Sequence, residues 1–237
     1  MNKTIRQKYW VCFLIIGVVL LCDQLLKIWI KTRFAIGDDV ALIGEWCRFH
    51  FVENEGIAFG LAIGGVVGKY CLTLFRVVAS GVIFYLLLRQ IKKNSRYLLL
   101  ISISLIFVGA VGNVVDSCFY GLIFSESTHS QIATLFPDGG GYGRFLLGKV
   151  VDMFYFPICE WTWPTWVPGL GGREAEFFSA IFNIADAAIC VGVALLIVDQ
   201  YIVPTKKEAD TEEEEEQGAI SAENDVESVE KTTATTE

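Results

Sequence analysis

The chain has 237 residues, 53% of them hydrophobic, with a mean hydropathy of +0.48 and a formal net charge of −8. That apolar content excludes an ordinary soluble domain and fits a small polytopic membrane protein. The acidity is local: residues 208–237 hold twelve acids and one lysine, which leaves the rest of the chain at net +3.

Lys3, Arg6 and Lys8 precede an apolar run from Trp10 to Leu21, and Val19-Leu20-Leu21-Cys22 hints at a cleavable lipobox. Leu21 is too large for the small residue that a cleavage site needs just before the cut, and apolar character resumes past Asp23. A first transmembrane helix is therefore expected over residues 10–30, about the 20 residues that span hydrocarbon. Asp23 and Lys27 stand four apart near its far end, acid before base, an order that supports a helical pair. On spacing alone they read as an ion pair snorkelling at the interface.

Residues 31–68 are too polar to span and too apolar to ignore the membrane. Arg48 to Asn54 alternates partly, as a strand on a half-buried surface does, and Glu53 to Gly60 reads as a turn opening onto an apolar patch. A small amphipathic sheet lying on the bilayer surface fits this segment. A second span covers 69–88, interrupted by Arg76, which must pair or reach toward headgroups. Arg89, Lys92, Lys93 and Arg96 form a short basic loop before a third span at 97–117. In the segment 118–176, Trp161, Trp163 and Trp166 suit a membrane interface. A fourth span is expected over 177–201, closing a membrane domain of residues 1–203. Residues 204–237 lack aromatics and are expected to form a disordered acidic tail.

The densest Lys/Arg clusters are the N-terminus, the 89–96 loop and the flank after span four. The positive-inside rule puts these in the cytoplasm and segments 31–68 and 118–176 outside. Asp23, Asn54, the end of span three, Asp152 and the start of span four then converge on the outer leaflet.

Gly112-Asn113-Val114-Val115-Asp116 and Phe182-Asn183-Ile184-Ala185-Asp186 both carry Asn-x-x-Asp, and Val150-Val151-Asp152 adds a third acid. A carboxylate near the bilayer centre costs roughly 2.5–3.5 kcal/mol, so such acids are functional candidates. Asn and Asp three apart on a helix share a face. Two carboxyls in one poorly solvated site cannot easily both ionise, and the pair holds one proton near neutral pH, as in aspartic proteases. The ionised member activates water, the protonated member polarises the scissile carbonyl, and nearby Asn side chains can hydrogen-bond the intermediate or the substrate backbone.

Two other readings use the same residues. One is an interhelical polar clamp, worth about 1 kcal/mol or less per bond. The other is a small ion- or proton-coupled transporter running through Asp116, Asp152 and Asp186. A relay places acids through the whole depth of the membrane, whereas these cluster at one side. Seven cysteines are scattered without Cys-x-x-Cys or a Cys/His cluster, so no metal site and no cofactor is expected. Cys47 and Cys159 fall in loops and are the two that could pair.

Five motifs follow in order: Asp23-Gln24-Leu25-Leu26-Lys27, Asn54-Glu55-Gly56-Ile57-Ala58-Phe59-Gly60, Gly109-Ala110-Val111-Gly112-Asn113-Val114-Val115-Asp116, Gly148-Lys149-Val150-Val151-Asp152-Met153 and Phe182-Asn183-Ile184-Ala185-Asp186-Ala187-Ala188-Ile189. With them the chain resembles the lipoprotein signal peptidase (type II signal peptidase) family from residue 10 to 200. The resemblance implies an all-α fold of four transmembrane helices with a surface sheet between the first two. It implies Asp152 and Asp186 as the catalytic dyad, a choice over Asp116 that residue physics alone does not make. Asp23, Lys27, Asn54, Gly56, Asn113, Asp116 and Asn183 would shape the pocket and hold substrate or dyad. The implied substrate is a prolipoprotein whose lipobox Cys carries diacylglycerol, cut just before that Cys in the bacterial inner membrane. The expected protein is a monomer among membrane lipids, with no nucleic-acid partner. Three features depart from the pattern. Ser117 stands where the family usually has Arg, a contact that Arg76 or Arg144 could replace. Segments 122–147 and 158–175 look longer than usual and are read as surface decoration in preference to a lid. The acidic tail is the third addition.

Overall fold

The computed structural model describes residues 3–56, 65–177 and 179–201. The chain divides into two compact units, residues 1–195 and 196–237. Of the second unit only 196–201, the end of the last helix, falls among the described residues, and the acidic tail lies outside them.

Four helical stretches among the described residues are long and apolar enough to cross a membrane, with mean hydropathies from 1.7 to 2.5. They are α1 (Lys3–Lys31), α2 (Gly65–Lys92), a composite third stretch, and α5 (Ile184–Tyr201). The third stretch is α3 (Tyr97–Val115), a wider π-type turn at Asp116–Tyr120, and one last turn, α4 (Gly121–Ile123). At 1.5 Å per residue α1 is about 43 Å long, more than the ~30 Å of hydrocarbon, so its ends project beyond the apolar layer.

The helices are built inside out relative to a soluble bundle. On α1 the buried stripe is Lys8, Cys12, Asp23, Lys27, Ile30 and Lys31, while Trp10, Phe13, Leu14, Val18, Leu21 and Leu25 are exposed. In lipid the outward apolar face costs nothing, and association comes from close packing and interior hydrogen bonds. Small residues allow that packing. A Cβ on Gly112 of α3 would stand 2.9 Å from the Cβ of Ala185 on α5, and one on Gly192 of α5 would stand 2.8 Å from the Ser102 carbonyl oxygen.

Three antiparallel strands form a sheet in the order β1 (Asp39–Ile43), β2 (Cys47–Asn54), β3 (Val150–Tyr155). Its third strand comes from the segment after α4, so the sheet is not confined to the region between the first two spans. Asn54 lies opposite Val150, Glu53 opposite Val151 and Val52 opposite Asp152, with an extra β2 residue bulged between Phe49 and Val52. The pleat then sends Phe51, Val151 and Met153 into a core with Ile30, Tyr120, Phe124 and Ala133, and sends Asp152 to the other face. A separate hairpin pairs β4 (Cys159–Thr162) with β5 (Glu174–Phe177).

Three expectations change. The helix expected from residue 177 begins at Ile184, because Phe182 pairs with Phe154 of β3 and holds the preceding chain extended. Residues 122–147 are exposed over much of their length, as expected of surface decoration, but Phe124 and Ala133 are buried in the core under the sheet and Ser127 is buried beside them. Cys47 sits on β2 as a buried free thiol.

Candidate active site

The site is assembled where α1, the α3 end, β2, β3 and the start of α5 meet. Its first component is a buried cation. Lys27 Nζ lies 3.0 Å from Asp23 Oδ2 and 2.8 Å from Asp116 Oδ2, and donates to Asn113 Oδ1 at 2.9 Å. All three ammonium protons are thus used. The Lys27, Asp23 and Asp116 side chains are at most 1% exposed. This overturns the reading of Asp23 and Lys27 as a snorkelling interfacial pair: a third charge, Asp116, draws them inward. Gln24 completes the cluster, donating to Asp116 Oδ1 at 2.9 Å and accepting from Tyr120 OH at 3.2 Å. Its role was not read from the sequence, where a glutamine between Asp23 and Leu25 carries no signal of its own.

The second component is the start of α5. Asn183 Oδ1 accepts from the Asp186 backbone N–H at 3.0 Å, and Asp186 Oδ2 accepts in return from the Asn183 N–H at 3.4 Å. This is a reciprocal capping box, with Asn183 at the cap and Asp186 three residues on. Asp23 Oδ1 takes a further free N–H of that first turn, Ala185, at 3.0 Å. An anion at a helix N-terminus is favoured by the unpaired N–H groups and the dipole. Asn183 therefore precedes the helix, so the two Asn-x-x-Asp sequences do different jobs. The sequence signal, a capping residue followed three later by an acid, was present.

The third component is the strand acid. Phe182 hydrogen-bonds Phe154 in both directions, N to O at 3.0 Å and O from N at 2.8 Å. That bridge sets Asn183 beside β3, where its Nδ2 donates to Asp152 Oδ1 at 2.6 Å. Asn54 Nδ2 donates to the other oxygen, Asp152 Oδ2, at 3.2 Å. Asn113 Nδ2 donates to Asp186 Oδ1 at 2.8 Å, and Asn113 Oδ1 accepts from Asn183 Nδ2 at 3.1 Å. Asp152, Asn183, Asn113 and Asp186 form one continuous hydrogen-bonded path. Asp116 lies off it: Val151 N–H and Lys27 occupy its Oδ2, and Gln24 its Oδ1.

Burial raises the Asp152 carboxyl to about 7, and the charge of Asp186 adds to that rise. Hydrogen bonds from Asn54 and Asn183 and the charge of Lys27 oppose it. At neutral pH this carboxyl is poised between its two protonation states.

Gly56 and Arg76 close one side. Gly56 N–H donates to Asn54 Oδ1 at 2.7 Å with φ of +85°, a conformation that glycine adopts without strain. A Cβ there would lie 3.0 Å from Arg76 Nη1. Arg76 Nη1 donates to Ser117 Oγ at 3.4 Å and feels the charges of Asp186, Asp152 and Asp116. Of the two arginines considered beside Ser117, Arg76 reaches it, whereas Arg144 is exposed.

The fold and this carboxylate–amide cluster define a polytopic membrane enzyme with two acids held together by asparagines. A family model described as signal peptidase (SPase) II matches residues 15–202. A lipoprotein signal peptidase of Porphyromonas gingivalis is 48% identical over 185 residues, covering 78% of this chain and 80% of the relative. Another, from Amoebophilus asiaticus, is 32% identical over 197 residues, covering 82% and 79%. A solved structure titled a bacterial membrane enzyme at 1.9 Å resolution is similar in fold, with a TM-score of 0.53 at 25% identity, over 81% of this chain and 92% of that one. The chain belongs to the signal peptidase II family, and it is an aspartic-type membrane peptidase. The ion-path alternative has no support among these relatives.

Proposed function

We propose that Asp152 and Asp186 are the catalytic dyad of an endopeptidase that removes signal peptides from diacylglyceryl-modified prolipoproteins, cleaving before the lipidated Cys. The observation that carries this reading is Asn183, which bonds Asp152 at 2.6 Å while capping the turn that holds Asp186. The dyad shares one proton. Its ionised member takes a proton from water, and the oxygen attacks the scissile carbonyl carbon. The protonated member hydrogen-bonds the carbonyl oxygen as it becomes an oxyanion. Collapse of the tetrahedral intermediate expels the Cys amine, which takes the proton held by the dyad. Asp23, Lys27, Asn113, Asp116 and Asn183 hold the two acids. Asn54, Gly56 and Arg76 face the space where substrate backbone would lie.

Leu21, Leu25 and Trp29 are exposed on the same turns of α1 that carry Asp23 and Lys27. They lie on the face of α1 opposite Asp23 and Lys27, so lipid meets the outer side of this helix at the depth of the site. Lys8 Nζ donates to the carbonyls of Asn94 at 3.0 Å and Ser95 at 2.6 Å, which puts the N-terminal end of α1 beside the basic 89–96 loop. With the positive-inside rule this supports cytoplasmic termini and a site under the outer leaflet of the bacterial inner membrane. Residues 1–203 form the peptidase domain, 204–237 a cytoplasmic tail, and the enzyme works as a monomer among lipids. The test uses one precursor in two forms, with and without diacylglycerol on its lipobox Cys. Cleavage before Cys of the lipidated form alone is expected; equal cleavage of both would overturn the substrate assignment.

A further inference from the structure

A second buried charge cluster lies on the other face of β2 and takes no part in the chemistry above. Lys31, fully buried at the end of α1, pairs with Glu53 Oε1 and donates to Ser127 Oγ at 2.8 Å. Ser127 Oγ in turn donates to Glu53 Oε1 at 2.9 Å. Lys149 Nζ approaches Glu53 Oε2 at 3.4 Å, and its backbone N–H donates to Tyr142 OH at 2.7 Å. The Lys31 ammonium also sits over the Phe124 and Tyr142 rings, 5.3 and 5.1 Å from their centroids.

Two buried charges are costly to assemble, and a hydrophobic pair of the same volume is often as stable or more so. Their placement says what they do. Glu53 is the residue before Asn54, and neighbours on a strand point to opposite faces. Glu53 is held by α1, by the segment after α4 and by the residue leading into β3. Asn54, at the last position of β2, has its Oδ1 taken by Gly56 and its Nδ2 on Asp152 Oδ2 at 3.2 Å. A strand terminus frays unless something anchors it. We propose that the Lys31–Glu53 ion pair, with Ser127 and Lys149, is a positioning device that anchors the end of β2 so that Asn54 bears on Asp152. Glu53 and Lys31 touch no reacting atom. They act through Asn54, and the inference rests on Asp152 belonging to the dyad.

The test compares the full-length enzyme with Asn54→Ala, with the charge-neutral double variant Lys31→Met/Glu53→Gln, and with all three changes together. It reads kcat, KM and the alkaline limb of the pH–rate profile on a lipidated precursor. The charged groups acting on Asp152 are Asp186 on α5, Lys27 on α1 and Arg76 on α2, and Asp116 in the π-type turn acts on both Lys27 and Arg76. The double variant alters none of them and leaves the net charge unchanged; because Lys31 also interacts with the Asp116 charge, a moved limb reports the Asn54 contact only where the triple variant matches Asn54→Ala. The double variant is expected to lose roughly tenfold in kcat, with KM within about twofold, and to shift the limb to higher pH. The triple variant is expected to match Asn54→Ala, because both act through one contact. Multiplying losses, an unmoved limb, or a double variant that cannot fold would each overturn the positioning role. Asp152→Asn is the control: if it still cleaves, the dyad reading fails. If it is inactive and the limb stays unmoved in the double variant, only the positioning role fails.

Discussion

Lys27→Met tests whether the buried cation holds the site together. The change keeps most of the side-chain volume but deletes the contacts to Asp23 at 3.0 Å, Asp116 at 2.8 Å and Asn113 at 2.9 Å. Two carboxylates that are at most 1% exposed then face one another with no cation between them. Removing one partner of a buried pair costs about 3–5 kcal/mol. For a chain of this size that is a fall on the order of 10 °C in Tm. Asp116→Asn is milder, about 1–3 kcal/mol, because Lys27 keeps Asp23 and an amide oxygen can still accept one bond. Combining the two removes the stranded Asp116 charge, so the double variant should be more stable than the sum of losses by about 1–3 kcal/mol. Thermal unfolding of all four proteins in one lipid or detergent measures this. Additive losses, or a Lys27→Met protein that melts with the wild type, would refute the reasoning.

Gly112→Ala should cost about 1–3 kcal/mol and most of the activity, since the new Cβ would stand 2.8 Å from Asp23 Oδ2 and 2.9 Å from Ala185. Gly81→Ala, with open space around the new Cβ, should be neutral or stabilise by roughly 0.5–1 kcal/mol; equal melting of the two variants would contradict the packing argument. Asp152 is raised to about 7, so it loses its proton as pH climbs through that region, and kcat should fall on the alkaline side there. Asn54→Ala removes a hydrogen bond that favours the ionised form, and should move that limb to higher pH; a shift to lower pH would be the wrong sign. Asp116→Asn, off the hydrogen-bonded path between the dyad acids, should retain measurable cleavage in a precursor-processing assay.

The spans were legible because lipid makes hydropathy nearly decisive. The intramembrane acids were legible because their cost demands a reason. What one sequence hides is which partner each polar group finds. Asp23 and Lys27 look like a local pair until Asp116, far along the chain, supplies the third charge. Asn183 has the spacing of a residue on a helix face, yet the Phe182–Phe154 bridge makes it a cap. Asp152 lies on a strand that only long-range pairing with β2 creates. Glu53 looks like part of a turn, and its burial depends on Lys31 and Ser127, distant in sequence. Periodicity reports local geometry; it reaches the Asp23–Lys27 pair and the Asn183–Asp186 spacing, but the contacts that bring these to Asp116 and Asp152 are non-local.

The central claim is that Asp152 and Asp186 together perform the cleavage. Its most direct test is single-turnover processing of a lipidated precursor by Asp152→Asn and Asp186→Asn, each checked for wild-type insertion and melting. Both folded variants are expected to lose cleavage by at least about a thousandfold, a loss larger than any one positioning contact explains. Near-normal turnover by either folded protein would contradict it.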